Sequence, residues 1–294
     1  TSSANLVANA YQNGNSTVQT ALNSLTNGQT AAALDAVHAE PYSSFMTVSL
    51  EHADLMLNTL LGQATTSGAF ESNISTLNMQ TAPLNEASAL RNELAMGQTR
   101  SGRSWGDASY IKGKVDGEDG LGTYKYSIGS LTFGHDLFTT QHSNIGAYFS
   151  LGDQSMDEHD KAEQNFKSTA VHIGAYGSLN LESNWEFRGV WGAGFADNET
   201  QRTVVVGNVI ETPEADFDSY STYLGASLGK TLYTNDYVAL RPEVGANYIY
   251  YKQEKIEETQ GLGFALNIDA ASAQSLVSNL ALKARFKELG ECQI

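Results

Sequence analysis

Residues 169–195 read TAVHIGAYGSLNLESNWEFRGVWGAGF and alternate between large apolar and small or polar side chains almost without a break. An alternation with a period of two predicts β-strands whose two faces meet different surroundings. The apolar residues, most of them large, fall on one face: Val171, Ile173, Ala175, Leu179, Leu181, Trp185, Phe187, Trp191, Ala193 and Phe195. The other face carries residues such as His172, Tyr176, Glu186 and Arg188, together with several glycines. A turn at Ser183-Asn184 separates the two predicted strands.

The composition excludes several classes of protein. The 294 residues carry a formal net charge of -16, which argues against a nucleic-acid partner because phosphates attract basic surfaces. The sequence has 27 glycines, 14 tyrosines and only 17% charged residues, which is not a disordered composition. The single cysteine, Cys292, excludes a disulfide framework or cysteine metal cluster within the chain. No apolar run approaches the roughly 18–20 residues of a membrane-spanning helix.

The first third of the chain reads as helix and loop. Helices are predicted over 17–28, 41–62 and 82–96 from their apolar spacing. In the second of these, Pro41 begins the helix and Gly62 ends it. Its apolar positions lie on one face: Met46, Leu50, Ala53, Leu57, Leu60 and Leu61. Residues 63–80 are rich in Ser, Thr and Gly and are predicted to be irregular.

From Trp105 onward the pattern changes to alternating strands. Eight are predicted, over 105–115, 123–138, 143–156, 167–181, 184–200, 217–232, 237–254 and 275–286. Short polar turns alternate with long polar loops, which cover 157–166, 201–216 and 255–274. Short turns at one end and long loops at the other are typical of outer-membrane barrels. The predicted fold is therefore an all-β antiparallel transmembrane β-barrel that follows an α-helical segment.

The two faces of these strands assign an outside and an inside. One face is aliphatic or aromatic, and the other is small and polar but hardly charged, which suits lipid outside and a lumen inside. The residues predicted to face lipid include Val171, Ile173, Leu179, Trp185, Phe187, Leu224 and Leu228. Those predicted to face the lumen include Glu186, Arg188, Ser227, Arg241 and Glu243. The four charged ones either contact a chain in the pore or pair across the lumen; the second interpretation is favoured.

Three motifs were weighed as chemical sites. GASLG (225–229) matches the nucleophile-elbow pattern around Ser227, but Ser227 lies inside a predicted strand rather than at a sharp strand-to-helix turn. DEHDKAE (157–163) places Asp157, His159 and Asp160 together, and a solvated loop is favoured over a metal site. DGEDG (116–120) lacks the spacing of a calcium loop and is interpreted as a turn. No catalytic residue, cofactor site or metal site is predicted.

Three passages resemble the C-terminal translocator domain of bacterial autotransporters (type V secretion). These are ALRNELAMGQTRSGRSWG (89–106), the strands from SNIGAYFSLGDQSMD to GVWGAGFADNETQR, and YVALRPEVGANYIYYKQEKIEE (237–258). The resemblance implies a twelve-stranded outer-membrane barrel of a Gram-negative bacterium, which ends in an aromatic residue read by the barrel assembly machinery. SNLALKARF ends at Phe286 and KELGECQI follows, so the barrel is either truncated or closes with eight strands.

The resemblance also implies roles for the three parts of the chain. Residues 1–80 would be the end of an exported passenger, 81–104 a linker with a plug helix, and 105–294 the barrel. Arg91 and Arg100 would face acidic lumen groups such as Glu186 and Glu243. The implied partners are membrane lipids, the assembly machinery, periplasmic chaperones and the passenger itself. Two alternatives remain, an outer-membrane hydrolase that uses Ser227 and a soluble β-rich surface adhesin.

Overall fold

The long strands predicted from the alternation are all present. The computed structural model describes residues 7–8, 11–12, 16–26, 29–30, 33, 38–64, 92–95, 104–117, 122–140, 142–159, 163–234, 238–261 and 263–286. Among these residues, the strands of twelve or more residues number eight: β2 Ser104–Val115, β3 Tyr124–Thr139, β4 Ser143–Glu158, β5 Gln164–Leu181, β6 Trp185–Arg202, β9 Glu214–Lys230, β11 Val238–Gln253 and β14 Ala271–Phe286. Each contains most of the corresponding predicted strand.

Short strands complete the count. They are β1 Asn92–Ala95, β7 Val204–Val206, β8 Val209–Glu211, β10 Tyr233–Thr234, β12 Ile256–Glu257 and β13 Asn267–Ile268. The main sheet is antiparallel and runs β1-β2-β3-β4-β5-β6-β9-β11, and both β14 and β10 pair with β11. It curls into a half-barrel. Within the described residues, no pairing joins β14 to β1 or β2, so closure with eight strands is not observed.

Exposed and buried residues alternate along the strands as predicted, with the large apolar side chains on the convex face of the sheet. Ile173 and Leu224 are 57% and 56% exposed, whereas their chain neighbours His172 and Tyr223 are buried. The apolar rows of β5 extend from Leu181 to Val171, ten residues along the strand. At ~3.3 Å per residue and a tilt of about 40°, they span roughly 25 Å, which is the height of a lipid-facing band.

The apolar band ends abruptly, because one row of paired residues on the convex face is apolar and the next row is polar. Val171, Phe195 and Tyr220 form its last row across β5, β6 and β9. In the next row toward the long loops, Thr169 pairs with Asp197 and Asp197 pairs with Asp218. The strands therefore continue past the apolar band, and they do so toward the end that carries the long loops.

The main helix lies in the concavity of the sheet. We label the helices α1, Ser16–Asn23, and α2, Glu40–Gln63. Pro41 lies in the first turn of α2 and Glu40 supplies an acidic group there, both of which favour a helix start. The helix contacts β4, β5, β6, β9 and β11. Its buried residues point in nearly every direction, from Tyr42 and Phe45 to Leu60 and Leu61, as in a helix enclosed by protein.

The third predicted helix is only partly open to comparison, and where it can be compared the prediction is wrong. Residues 92–95, the end of the helix predicted over 82–96, form strand β1 and pair with Asp107–Tyr110 of β2. Residues 82–91 and 96 lie outside the described part of the chain. The described helix in the concavity is α2, which lies within residues 1–80, the predicted end of the passenger.

A small separate core lies where the strands extend beyond the apolar band. Val18 of α1 and Ala33 pack there with Val204 and Val206 of β7 and with Phe264. The hairpin β7–β8 and the loop after β11 therefore meet the segment that precedes α2. The three sides of this core come from parts of the sequence that are far apart.

Candidate functional site

The helix α2 contacts the concave face of the sheet, which we call the inner wall. These contacts begin at the long-loop end. The backbone N–H of Gly122, in the loop between β2 and β3, donates to Glu40 Oε2 over 3.3 Å. Tyr42 donates its hydroxyl to Glu258 Oε1 over 2.8 Å. Arg202 binds the same carboxylate through Nε and Nη2, at 2.8 and 2.7 Å, and both side chains are essentially unexposed. The start of the helix is thus fixed to the loops by hydrogen bonds of Glu40 and Tyr42, and the second of these goes to a carboxylate that is part of a buried ion pair.

The upper half of α2 packs on rings. Phe45 stacks on Phe166 of β5 with ring centroids 4.8 Å apart, and Tyr42 meets the same ring edge-on at 5.2 Å. Aromatic pairs at these distances contribute beyond the area that they bury. The buried cluster there also includes Val48, Leu55, Tyr126, Ile128, Met156 and Phe217. The space between α2 and this part of the sheet is therefore filled with side chains.

The lower half of α2 fits into gaps left by wall glycines. A Cβ atom added at Gly225 would lie 2.5 Å from Leu57, which is closer than real Cβ atoms approach, and 3.2 Å from Leu61, which is a tight contact. Gly192 leaves space in the same way for the rings of Tyr148 and Tyr223, whose hydroxyls are 2.7 Å apart. The repeated glycines of the inward face are therefore positions of close approach.

The helix ends against a group of charged side chains at the short-turn end. Arg188 donates from Nη1 to the carbonyl oxygen of Leu61 over 2.9 Å and also pairs with Glu243. Arg241 pairs with Glu186, and Lys283 Nζ lies 3.1 Å from Glu243. Carbonyls in the last helical turn have no partner within the helix, and the helix dipole favours positive charge there. The basic excess of this group of five therefore suits the C-terminus of α2.

The structure brings together the predicted inner-face residues. Glu186, Arg188, Ser227, Arg241 and Glu243 are all buried on the side of the sheet that faces α2. Arg188 pairs with Glu243 of the sheet and also donates to the Leu61 carbonyl of α2, so the two interpretations of the four charged residues stay open. That this side is the lumen of a closed barrel stays a prediction. Arg91 and Arg100 lie outside the described residues, so their facing Glu186 and Glu243 stays a prediction too.

The contacts that hold α2 are not evident from the sequence. The pair of Arg202 with Glu258 spans 56 residues, and no local pattern indicated it. Tyr42, which binds the same carboxylate, was included in the predicted helix but not assigned a partner. One feature of the sequence does indicate that the helix is enclosed by protein. The apolar surface of 41–61 is wider than one helical face once four more residues are counted: Tyr42, Phe45, Val48 and Leu55.

The motifs weighed for chemistry are placed as follows. Ser227 lies well inside β9, directly across from Arg188 and Gly245, and not at a strand-to-helix turn. Asp157 is the second-last residue of β4 and His159 follows that strand, whereas Asp160 is outside the described residues, as is 118–120 of the DGEDG turn. In the part of the chain that the structure describes, no three His, Cys, Asp or Glu side chains group as metal ligands. Of the described helices, none is long and apolar enough to cross a membrane.

Comparison with known proteins identifies the strand region. The family model of the autotransporter beta-domain matches residues 104–287. The translocator domain of the autotransporter NalP from Neisseria meningitidis superposes with a TM-score of 0.52 at 18% identity. That match covers 64% of this chain and 63% of the NalP chain. At this identity the likeness concerns the fold.

Two larger outer-membrane proteins match more weakly. The RagAB peptide importer in its closed-closed state gives a TM-score of 0.33 at 11% identity, over 69% of this chain and 30% of that one. The ferric yersiniabactin uptake receptor FyuA from Yersinia pestis gives 0.32 at 9% identity, over 62% and 31%. Scores this low carry no argument. A search of curated proteins found no match.

Proposed function

Because the chain belongs to the autotransporter beta-domain family, we propose that it anchors an N-terminal passenger in the outer membrane and exports it to the cell surface. Domains of this family are outer-membrane β-barrels of Gram-negative bacteria. The convex apolar band of roughly 25 Å supports the membrane location. The proposed mechanism is conformational: the chain passes through the lumen, and α2 is the segment that remains there.

The direction of α2 is the observation that carries the proposal. Glu40 and Tyr42, at its start, contact the long loops, and Leu61, near its end, contacts Arg188 beside the short turn. In outer-membrane barrels the long loops face the cell exterior and the short turns face the periplasm. The residues before Glu40 therefore leave the half-barrel at the exterior, where a passenger would be presented.

The inner wall supports the retention of a helix after export. Glycines at positions such as Gly225 receive the leucines of α2, and Arg188 binds its C-terminal carbonyl. An extended chain in transit makes neither set of contacts, since both depend on helical spacing of the side chains. We infer that folding of α2 in the lumen ends transport and fixes the passenger to the membrane.

Partners and activity follow from the same proposal. The family implies a passenger segment and an outer-membrane setting. We propose in addition that periplasmic chaperones and the barrel assembly machinery insert the domain. The domain acts without a catalytic residue or cofactor of its own in this scheme. The position of Ser227 inside a long strand supports the export function over hydrolysis.

An epitope-tag experiment tests the proposed direction. The same short tag is placed before Thr1 in one variant and at His142, in the short turn between β3 and β4, in the other. An antibody added to intact cells should bind the first variant and should reach the second only after the outer membrane is permeabilised. Heat-modifiable migration of each variant confirms that it has folded. The reverse pattern of labelling would overturn the proposal.

A further inference from the structure

Two histidines meet between α2 and the wall, away from the ionic contacts at either end. His52 of α2 and His172 of β5 are 1% and 4% exposed, and their ring centroids are 4.9 Å apart at an interplanar angle of 70°. None of the four ring nitrogens has a hydrogen-bond partner among the described residues. Gly152 and Gly194 lie against the two rings, where a Cβ atom would collide with them.

The side chains that surround the two histidines would not stabilise a positive charge. A cavity of about 10 Å³ adjoins both rings, which is room for about one water molecule. The side chains around this cavity and the rings are neutral at neutral and mildly acidic pH: Ser49 of α2, Gln154 of β4, Ser219, Ser221 and Tyr223 of β9, and Tyr251 of β11. The β6 residues there are Gly194, Phe195 and Ala196, and none titrates.

The carboxylates of α2 nearest in sequence are engaged elsewhere. Asp54 accepts from Asn58 over 2.8 Å and from Asn247 over 3.4 Å. Glu51 interacts with the hydroxyl of Tyr126. Two imidazolium ions so close together would repel each other, and each would lose its hydration without gaining a counter-charge.

We propose that His52 and His172 form a proton-sensitive contact, so that acidification releases α2 from the wall. While α2 is packed against the wall, which we call the seated state, both imidazole rings must be neutral. When the helix is released, both rings reach water and titrate near the ordinary histidine pKa of about 6.5. The released state therefore binds more protons, and its population rises as the pH falls below that value. The inference concerns the seat of α2 and stands whether or not the chain exports a passenger.

The slope of the response reports the number of protons. Each histidine that is neutral when seated and charged when released multiplies the release equilibrium by up to about tenfold per pH unit. Two such histidines give up to about 100-fold per unit. His52→Gln or His172→Gln alone should reduce the slope to about tenfold, and the double variant should show none from this pair.

Cysteine accessibility measures the release. In a Cys292→Ser background of the full chain, Ala53→Cys places a thiol on the buried side of α2, and Thr47→Cys places one on its exposed side. The ratio of their labelling rates cancels the pH dependence of the thiol reagent. It is measured between pH 7.5 and 5.0, above the ordinary range of carboxyl groups. His142→Gln, in an exposed turn, is the matched control and should leave the slope unchanged.

The outcomes are distinct. A ratio that rises below about pH 6.5 and loses half its logarithmic slope in each single variant supports the proposal. A flat ratio in the wild type, or a slope in the single variants as steep as that of the wild type, overturns it. Should the double variant fail to fold, the single variants decide. Heat-modifiable migration at each pH separates release of α2 from unfolding of the sheet.

Discussion

At the scale of single residues, Arg188 connects α2 to the concave face of the sheet. Its guanidinium is buried, binds Glu243 on the neighbouring inner wall and donates to Leu61 at the end of α2. A guanidinium can hold several acceptors at once because its donors are fixed in a fork. Lys283, which also lies beside Glu243, offers a compact ammonium at the edge strand. Arg188 is therefore the group whose loss should loosen the helix most specifically.

Replacing Arg188 with alanine should destabilise the seated helix by about 2–3 kcal/mol, below the full cost of breaking a buried ion pair because Lys283 still neutralises Glu243. Amide exchange in the last turns of α2 should accelerate more than exchange in β5. Lys167→Ala, on the exposed outer face, is the matched control and should change stability by no more than about 0.5 kcal/mol. Equal effects of the two variants would count against the role of Arg188.

At the scale of elements, the fit of α2 depends on the glycines of the wall. Gly225→Ala should cost about 1–3 kcal/mol, because its Cβ would meet Leu57 in a packed core. That corresponds to an increase of about 5- to 150-fold in amide exchange across α2. At Gly189, the nearest atom to an added Cβ belongs to Phe187 at 3.4 Å, so Gly189→Ala is the control and should have little effect.

The pairing of Gly225 with Leu57 can be separated from general damage. If the two contact each other as described, Leu57→Ala and Gly225→Ala together should cost less than the sum of the single effects. Strict additivity would show that Gly225 affects the wall alone. The same exchange measurement serves for all three variants.

The strands carry a second prediction at this scale. Leu224 lies in the middle of the convex apolar band, and Asp216 lies on the same strand beyond the band. Leu224→Arg should destabilise the domain in lipid by about 2–4 kcal/mol and Asp216→Arg by no more than about 1 kcal/mol. Chemical unfolding in vesicles measures both. Similar costs at the two sites would place the boundary of the lipid band elsewhere.

The strands and their faces could be predicted from the sequence, whereas the position of α2 could not, for a physical reason. A strand between lipid and a filled interior repeats its environment every two residues, so the alternation in 169–195 predicts both its extent and its faces. The helix α2 is enclosed on most sides, and its position depends on contacts such as Arg188 with Leu61 across 127 residues. Local periodicity predicts that such a helix forms, but not what surrounds it.

At the scale of the whole molecule, three levels of contact fix α2 along the half-barrel. At the long-loop end Tyr42 is bound to Glu258, which Arg202 holds in place; aromatic rings and glycines fill the middle; and Arg188 holds the short-turn end. The helix therefore has one direction and one height. Its start points to the exterior in the proposed membrane orientation, as an exported N-terminal segment requires.

The central claim is that residues 40–63, and not the segment predicted over 82–96, occupy the interior. In a Cys292→Ser background, Asn58→Cys is paired with Asn247→Cys, and in a second protein Arg91→Cys is paired with Asn247→Cys. Both are treated in outer membranes with a short bismaleimide, and folding is verified by heat-modifiable migration. We predict crosslinking from position 58, because the side chains of Asn58 and Asn247 are 3.4 Å apart. Crosslinking from position 91 with none from position 58 would contradict the account.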